Sequence, residues 1–532
     1  MHLNKIIVNL SILLLFVIQI TKAQETVTVQ CNATIPAETQ FMQGFLHGGP
    51  LYLDSTLTAK LRPSFWRVGA YWLAGSSYED AEIFNPRFTV SINDIYMIAN
   101  GITDQHFSQP WVDNWHSWDS ITTVVVNEFK INSKPVEFWD IWNEPDNFWS
   151  GTYEDWIEMY RRTDSIIHSI DTDAKIVGPD FGFGACDFSV VPLLDLLDTL
   201  HKINSLIDAV SWHEFCTPEE VVEHVNELRD SLSVRPWASD LLINIPEYAG
   251  PANHIIPGWN VGWLYYLEQA QVNWVSHACW NESDGVSEWS DCQFGLNGLF
   301  MSDNKTPQPN YWVHRIYADL PVTRLTTTTD HPKTVAFAGK NDVTNELKIL
   351  VGRYDNPDLG FHNAPADVLV KIEDYPYCST CTTPLIIQRI PSNDVNYSIP
   401  LYAPVTTLNA TINIVDGGAL ISISDFIDGD AYVVYVNPAE GSISSVHNNN
   451  FSELLKVVPN PVKYETKILS SKYLSSANIT IYNQFGNVVF YSPQNIGHEF
   501  LINTTQFVSG IYYVIIDDTN NQVAQTKFIV VN

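Results

Sequence analysis

Basic residues are scarce in this chain: 28 Lys and Arg stand against 60 Asp and Glu, a formal net charge of −32 over 532 residues. Little in that balance could neutralise a phosphate backbone, which argues against nucleic acid as a partner. The same field disfavours strongly anionic ligands unless a local basic pocket overrides it. General solubility in a salty exterior explains the acidity equally well. Long apolar runs are absent beyond the N-terminal segment, so no later stretch has the length needed to cross a bilayer. No Gly-rich turn follows the first strand-like run to suggest nucleotide binding. His and Asp are scattered without the close spacing of a zinc site, and neither a metal nor any other cofactor is expected.

What is plentiful is apolar and aromatic. Hydrophobic residues make up 45% of the chain and aromatics 12%, with 17 Trp. Disorder is excluded, large cores are possible, and the length implies two or three domains. The first residues, MHLNKIIVNLSILLLFVIQITKAQE, combine a cationic start (His2, Lys5) with an apolar run from Ile6 to Ile20 and the small residue Ala23. That pattern reads as a secretory signal, residues 1–23, cleaved after Ala23. Export permits disulfides among the seven cysteines. Cys378 and Cys381 suit a small clip, Cys279 with Cys292 would close a loop, Cys186 with Cys216 is a further pairing, and Cys31 is left over.

Between residues 41 and 320, short apolar runs alternate with helical patterns, the trace of a parallel sheet. Eight strands are read: MQGFLHG, SFWRVG, ITDQHFS, VEFWDIW, KIVGPDF, IDAVSWHE, LLINIPEY and VNWVSHACW. Between the fourth and fifth, YEDWIEMYRRTDSIIHSID keeps Trp156, Ile157, Tyr160, Ile166, Ile167 and Ile170 at helical spacing. The expected fold is α/β: a (β/α)8 barrel over residues 24–320, with an open doubly wound sheet as its rival. Alternating strands over 321–440 read as a β-sandwich, 441–454 as a polar linker, and 455–532 as a small Ig-like β-sandwich.

The catalytic expectation starts from VEFWDIWNEPDNFW, where a buried strand breaks at Asn143-Glu144-Pro145. The seventh strand ends at Glu247 in INIPEYAG. Two glutamates brought from different strand ends to one barrel rim meet the requirement of glycosidic cleavage, one acid and one nucleophile or stabiliser. Each alone has a plainer reading, Glu144 within a helix-start cap and Glu247 as a surface strand end.

WNEP closing strand four and a glutamate closing strand seven resemble the clan A retaining glycoside hydrolases. A sandwich ending DGDAYVVYV directly after the barrel makes the resemblance closest to family 39, over roughly residues 41–440. The resemblance implies Glu144 as acid/base and Glu247 as nucleophile. It also implies Asn143 on the sugar 2-hydroxyl, Arg67 near the nucleophile, His213 at the end of strand six, and Trp280 as a platform under the sugar. Glu144 is then expected to have a raised pKa, with Glu247 kept ionised by Arg67. Tyr248 and Trp149 complete the expected sugar contacts. His106, Gln109 and Asp180 are alternatives between subsite contact and loop or cap, and Glu214 faces either the pocket or the wall.

Trp111, Trp115, Trp118, Phe148, Trp149, Trp259 and Trp289 are rim aromatics suited to stacking on sugar rings, whereas Trp263 is expected in the core. The order PNP, IYNQFGNVV, SGIYYV and a basic-apolar terminus resembles the C-terminal sorting domain of the type IX secretion system. The partners implied are a glycan and that secretion machinery, with the protein secreted or held at the cell surface. A non-catalytic glycan-binding adhesion protein and a transglycosylase are the competing readings.

Overall fold

Strand β1 (Gln24–Thr34) buries every second residue, Val27, Val29 and Cys31 among them, as a strand with one solvated face does. The runs that follow are buried at nearly every position. FWRV, FWDI and WVSH are buried throughout, the mark of parallel strands covered on both faces. In the computed structural model, β2 (Gly44–Leu46), β3 (Phe65–Val68), β4 (Arg87–Ile92), β5 (Phe138–Ile141), β6 (Ile176–Phe181), β7 (Ala209–Glu214), β8 (Leu242–Tyr248) and β9 (Trp274–His277) close into a parallel barrel. The structure describes residues 24–36, 42–46, 53–69, 78–92, 115–149, 151–205, 207–280, 282–283, 288–290, 294–321, 323–354, 365–392, 400–438, 455–483, 488–518 and 523–531. The expected signal segment and linker lie outside them.

Two expectations need correction. The third barrel strand is RFTVSI, not ITDQHFS, which lies outside the described residues. Polar Thr89 and Ser91 break the apolar run of this strand. Its Arg87 guanidinium lies over the rings of Phe65 and Trp274, 4.3 and 5.1 Å from their centroids. The barrel also does not begin at residue 24, because β1 pairs with strands beyond residue 320.

The outer layer comprises α1 (Ser55–Ala59), α2 (Trp115–Ile131), α3 (Pro145–Phe148), α4 (Tyr153–Ile170), α5 (Val190–Lys202), α6 (Glu220–Leu232), α7 (Pro257–Ala270) and α8 (Pro309–Ala318). Helix α4 starts in a capping box between Thr152 and Asp155 and buries Trp156, Met159, Tyr160 and Ile167. Two short strands, β10 (Glu282–Ser283) and β11 (Glu288–Ser290), pair after the barrel closes.

The next unit comprises β12 (Thr323–Thr329), β13 (Thr334–Asn341), β14 (Glu346–Arg353), β15 (Ala366–Glu373), β16 (Cys381–Ile390), β17 (Val405–Ile414), β18 (Ala419–Phe426) and β19 (Ala431–Val436). With β1 they form one nine-stranded sheet around a core of Val27, Val29, Ile349, Val370, Ile421 and Val434. Helix α7 presses onto it at Gly258, where a Cβ would stand 2.1 Å from the Arg353 carbonyl oxygen. Finally β20 (Leu455–Val458), β21 (Glu465–Asn483), β22 (Val488–Asn503), β23 (Gly510–Asp518) and β24 (Val523–Val530) form a five-stranded sheet with a separate apolar core.

Three fully buried histidines lie together between β9, α7 and α8. The His277 ring is 6.0 Å from that of His254 and 5.3 Å from that of His314, whose Nδ1 meets Gln43 Oε1 at 3.1 Å. Burial pushes His254 and His314 down to about 3, and His277 well below its ordinary value. Folded-state values below the unfolded one mean their stabilisation is complete above pH ~6.5 and lost as the pH falls towards 3. Each site contributes up to about 1.4 kcal/mol per pH unit in that window. Urea unfolding at pH 6.5 and 5 should show a drop in stability that is smaller in His314→Gln; an equal drop in both proteins would contradict this.

Candidate active site

At the end of β5 the chain leaves the sheet through two left-handed residues, Trp142 (φ 73°) and Glu144 (φ 44°), before Pro145 begins α3. Asp180 (φ 54°), the last residue but one of β6, is left-handed too, and Ala249 (φ 72°) follows β8. Such conformations cost non-glycine residues of order 1 kcal/mol each, and here they gather at the C-terminal rim of the barrel. Glu144 makes no side-chain cap bond to α3, which removes the capping explanation.

Arg67, on β3, is the hub below that rim. Its Nε and Nη2 donate to Asp140 Oδ2 at 2.9 and 2.7 Å, Nη2 also donates to Asp180 Oδ2 at 2.7 Å and Asn143 Oδ1 at 2.8 Å, and Nη1 donates to Glu247 Oε1 at 2.8 Å. The guanidinium is 3% exposed and both aspartates are fully buried. Burial and the charge of Asp180 push the Asp140 carboxyl well above its usual range despite Arg67. The raised Asp140 carboxyl limits the negative charge that Arg67 faces from behind. Ser211 Oγ bonds Asp180 Oδ1 and fixes the far side of the pair. Sequence reasoning missed this aspartate pair as a unit. The available signal was a charged residue inside the apolar run FWDIW, since a buried carboxylate needs a partner.

His213, on β7, is completely buried, and its Nδ1 lies 2.8 Å from Glu144 Oε1 and 3.9 Å from Glu247 Oε2. One oxygen of each glutamate and a His213 nitrogen lie within 4.8 Å of one another, a donor set that could also hold a divalent cation. The glutamate side chains are 13% and 17% exposed, so both can be reached from outside.

The charge distribution reverses the expected one. Burial lowers the His213 pKa, but the charge of Glu247 and the hydrogen bond and charge of Glu144 outweigh it and push it up to about 9. Burial raises Glu144, yet the His213 bond and charge, with Asn147 and Arg67, hold it below its ordinary value. Burial raises Glu247 above its ordinary value, with His213 and Arg67 opposing. In the free protein the mobile proton therefore rests on His213, beside an ionised Glu144.

The other expected residues divide. Trp280 is half-buried, with Nε1 donating to Ala249 O at 2.9 Å; its ring is 5.2 Å from Phe215, which in turn meets His213 at 5.5 Å. Trp149 is half-buried on the loop after α3 and meets Trp142 edge-on at 5.2 Å. Tyr248 is not a sugar contact: it is fully buried and its ring packs on Trp263 and His277. Successive strand residues point to opposite faces, so Glu247 facing the site sends Tyr248 to the wall. Glu214 faces the wall too, bonded to Trp212 Nε1 and His224. Asp180 is a buried partner of Arg67, neither a sugar ligand nor a helix cap.

Trp118 is a core residue, 1% exposed and bonded to Thr163, and Trp259 is buried against Tyr354; neither is a rim aromatic. Trp263 is core, as expected, and Trp115 is half-buried beneath Arg162. His106, Gln109 and Trp111, and the side chains of Phe148 and Trp289, lie outside the described residues.

Disulfides join Cys186 to Cys216, tying the loops after β6 and β7, and Cys378 to Cys381, while Cys31 is free and buried. Cys279 is also disulfide-bonded; its expected partner Cys292 lies outside the described residues.

Residues 456–532 match the family model of the secretion system C-terminal sorting domain. A stretch of 96 residues is 31% identical to a beta-xylosidase of Caldicellulosiruptor saccharolyticus, spanning 18% of this chain and 18% of that protein. The fold is similar to N2152 from Neocallimastix frontalis, with a TM-score of 0.64 and 19% identity, covering 78% of this chain and 100% of the other. It is similar to a bacterial orthologue of human α-L-iduronidase, with a TM-score of 0.52 and 13% identity over 95% and 99% of the two chains. An α-L-arabinofuranosidase from Thermotoga maritima gives 0.51 and 12% over 77% and 99%. At these identities it is the fold that is shared. Among the described residues no helix is long and apolar enough to cross a membrane.

The loop after β6 passes so close to Glu144 that a Cβ at Gly182 would stand 2.8 Å from the Glu144 Cδ and 2.4 Å from Asn147 Nδ2. Gly182→Ala should displace that carboxylate and lower kcat/KM by roughly 100-fold, the cost of about 1 Å of misplacement, with little change in Tm. Steady-state kinetics with a melting curve check this; unchanged kinetics would contradict it.

Proposed function

We propose that the chain is a secreted retaining glycoside hydrolase that cleaves the O-glycosidic bonds of a β-linked polysaccharide or oligosaccharide through a covalent glycosyl-enzyme. The observation that carries this reading is that one oxygen of Glu144 and one of Glu247 lie within 4.8 Å of each other, beside His213. Retaining pairs stand about 5–5.5 Å apart, whereas an inverting pair needs about 6.5–9.5 Å to admit a water. The match to a beta-xylosidase and the barrel shared with an arabinofuranosidase support the reaction class. Within it we favour clan A, nearest to family 39. The apolar N-terminus and the sorting domain support export through the type IX machinery.

In this mechanism a Glu247 oxygen attacks the anomeric carbon as the bond to the leaving oxygen breaks. Glu144 supplies that oxygen with its proton, which it receives from His213 Nδ1 along their 2.8 Å hydrogen bond. Arg67 holds Glu247 as a carboxylate and fixes Asn143 through its Oδ1, leaving Nδ2 to donate to the sugar 2-hydroxyl. Trp280 lies under the ring. Water then attacks the anomeric carbon as its bond to the Glu247 oxygen breaks, Glu144 takes the water's proton, and the sugar leaves with its original anomeric configuration. No step requires a metal.

Assays on 4-nitrophenyl glycosides and a panel of plant and algal polysaccharides test the reading. Glu247→Ala should lose at least about 1,000-fold in kcat while still binding glycan. Proton NMR of the first product should show retained configuration. Inverted product, or glycan binding without turnover by the wild type, would overturn the proposal. EDTA should leave the rate unchanged; a loss restored by a divalent cation would reassign the three-residue cluster as a metal site.

The pH profile of kcat/KM follows from the signs above. Activity rises as Glu247 ionises, with an acid limb above the ordinary glutamate value of 4.5, and falls as the proton leaves His213 near 9. His213→Gln should remove the limb near 9, and an unchanged profile would contradict the proton relay.

A further inference from the structure

Next to α3, whose first residue Pro145 follows Glu144, lies a cavity of about 620 Å³. It opens among α3, α4 and α5, outside the ends of β5 and β6, and its edge begins at Pro145, the residue after Glu144. Its volume is in the range of small-ligand sites. Four aromatic side chains contribute to its lining: Trp149, Tyr153, Trp156 and Phe181. Trp156 and Phe181 are buried, whereas Tyr153 is 44% exposed and Trp149 half-buried, so two rings present usable faces.

The Trp149 indole is held in place before any ligand arrives. Its Nε1 donates to Thr152 O at 2.9 Å, its face meets the backbone at Gly151, where a Cβ would approach to 3.0 Å, and Trp142 supports it edge-on. Rings fixed in this way, opening beside carboxylates, suit sugars, whose C–H faces stack on aromatics while their hydroxyls donate to oxygen. Asp146 and Asp198 are committed, to the Gly182 and Phe183 amides and to Arg235. The exposed Asp195 carboxylate is left to accept from a ligand. Three aspartates against one ammonium, Lys202, make the lining net negative and disfavour a uronic acid.

We propose that this cavity is an outlying saccharide subsite, holding the departing end of a neutral glycan chain. The proposal rests on the glycosidase reading for its direction: Glu144 protonates the leaving oxygen, so a site bounded by Pro145 and Asp146, the residues that follow it, is assigned to the leaving portion. Substrates long enough to span both places would gain affinity from it, and monosaccharide glycosides would not.

The test compares wild type, Tyr153→Ala and Asp195→Ala on β-1,4-linked xylo- and gluco-oligosaccharides of two to six units and on the matching 4-nitrophenyl monosaccharides. Tyr153→Ala should lower kcat/KM on the longest chains about five- to ten-fold, the equivalent of one aromatic contact, and leave the aryl glycosides unchanged. Retardation in native gels containing soluble xylan or hydroxyethylcellulose reads the same contact without hydrolysis, in the Glu247→Ala background. Loss of retardation on adding Tyr153→Ala supports the subsite even if no substrate is turned over, an outcome that would count against the glycosidase reading alone. Equal behaviour of all variants on long chains and in gels, or absence of any retardation or chain-length preference, would overturn the subsite. A parallel loss on aryl glycosides, with an unchanged melting curve, would overturn it as well by showing that Tyr153 acts through Glu144.

Discussion

A guanidinium buried at the heart of a barrel has to be compensated, and Arg67 determines much of what surrounds it. Removing one partner from such a buried group costs about 3–5 kcal/mol, so the aspartates behind Arg67 are as constrained as the carboxylate in front. Asp140 and Asp180 arrive from adjacent strands, and burial with the charge of its neighbour raises the Asp140 carboxyl, which limits the negative charge facing one cation. What Arg67 has left is directed at Asn143 and Glu247. The rim groups are thereby positioned from beneath, by strands whose register is set by the barrel, rather than by the loops above them.

The distribution of charge within the site follows from the same crowding. His213 has no solvent contact and stands between two carboxylates, so it keeps a proton that a solvated imidazole would give up near neutral pH. The bond to His213 therefore keeps Glu144 ionised in the free protein. Sequence reasoning assigned the raised pKa to Glu144 because it treated the two glutamates as a pair. The buried histidine makes them members of a triad, and in the proposed mechanism the proton is stored one hydrogen bond away from where it would be used.

How far the sequence could be read depended on how local the determinants were. The strand ends at Glu144 and Glu247 were legible because an apolar run stopping at a polar cluster is a local signal. The third strand was not, since Thr89 and Ser91 interrupt its apolar pattern and Arg87 is explained only by the Phe65 and Trp274 rings of β3 and β9 that fold against it. Tyr248 was misassigned although the period-two alternation around Glu247 already pointed it outward. Trp118 looked like a rim aromatic amid polar residues, but α2 turns it inward to Thr163. The domain boundary was hidden for a topological reason: β1 crosses the whole barrel in sequence to pair with β12 and β15.

All of these parts bear on whether two strand ends form one reaction centre. The measurement that tests this most directly is trapping: incubation with 2-deoxy-2-fluoro glycosides carrying a good leaving group, followed by mass spectrometry of peptic fragments. A single fluorosugar adduct on Glu247, absent when Glu247 is replaced by Gln, is the predicted result. An adduct on another residue, or turnover of true substrate with no trappable ester, would contradict the account.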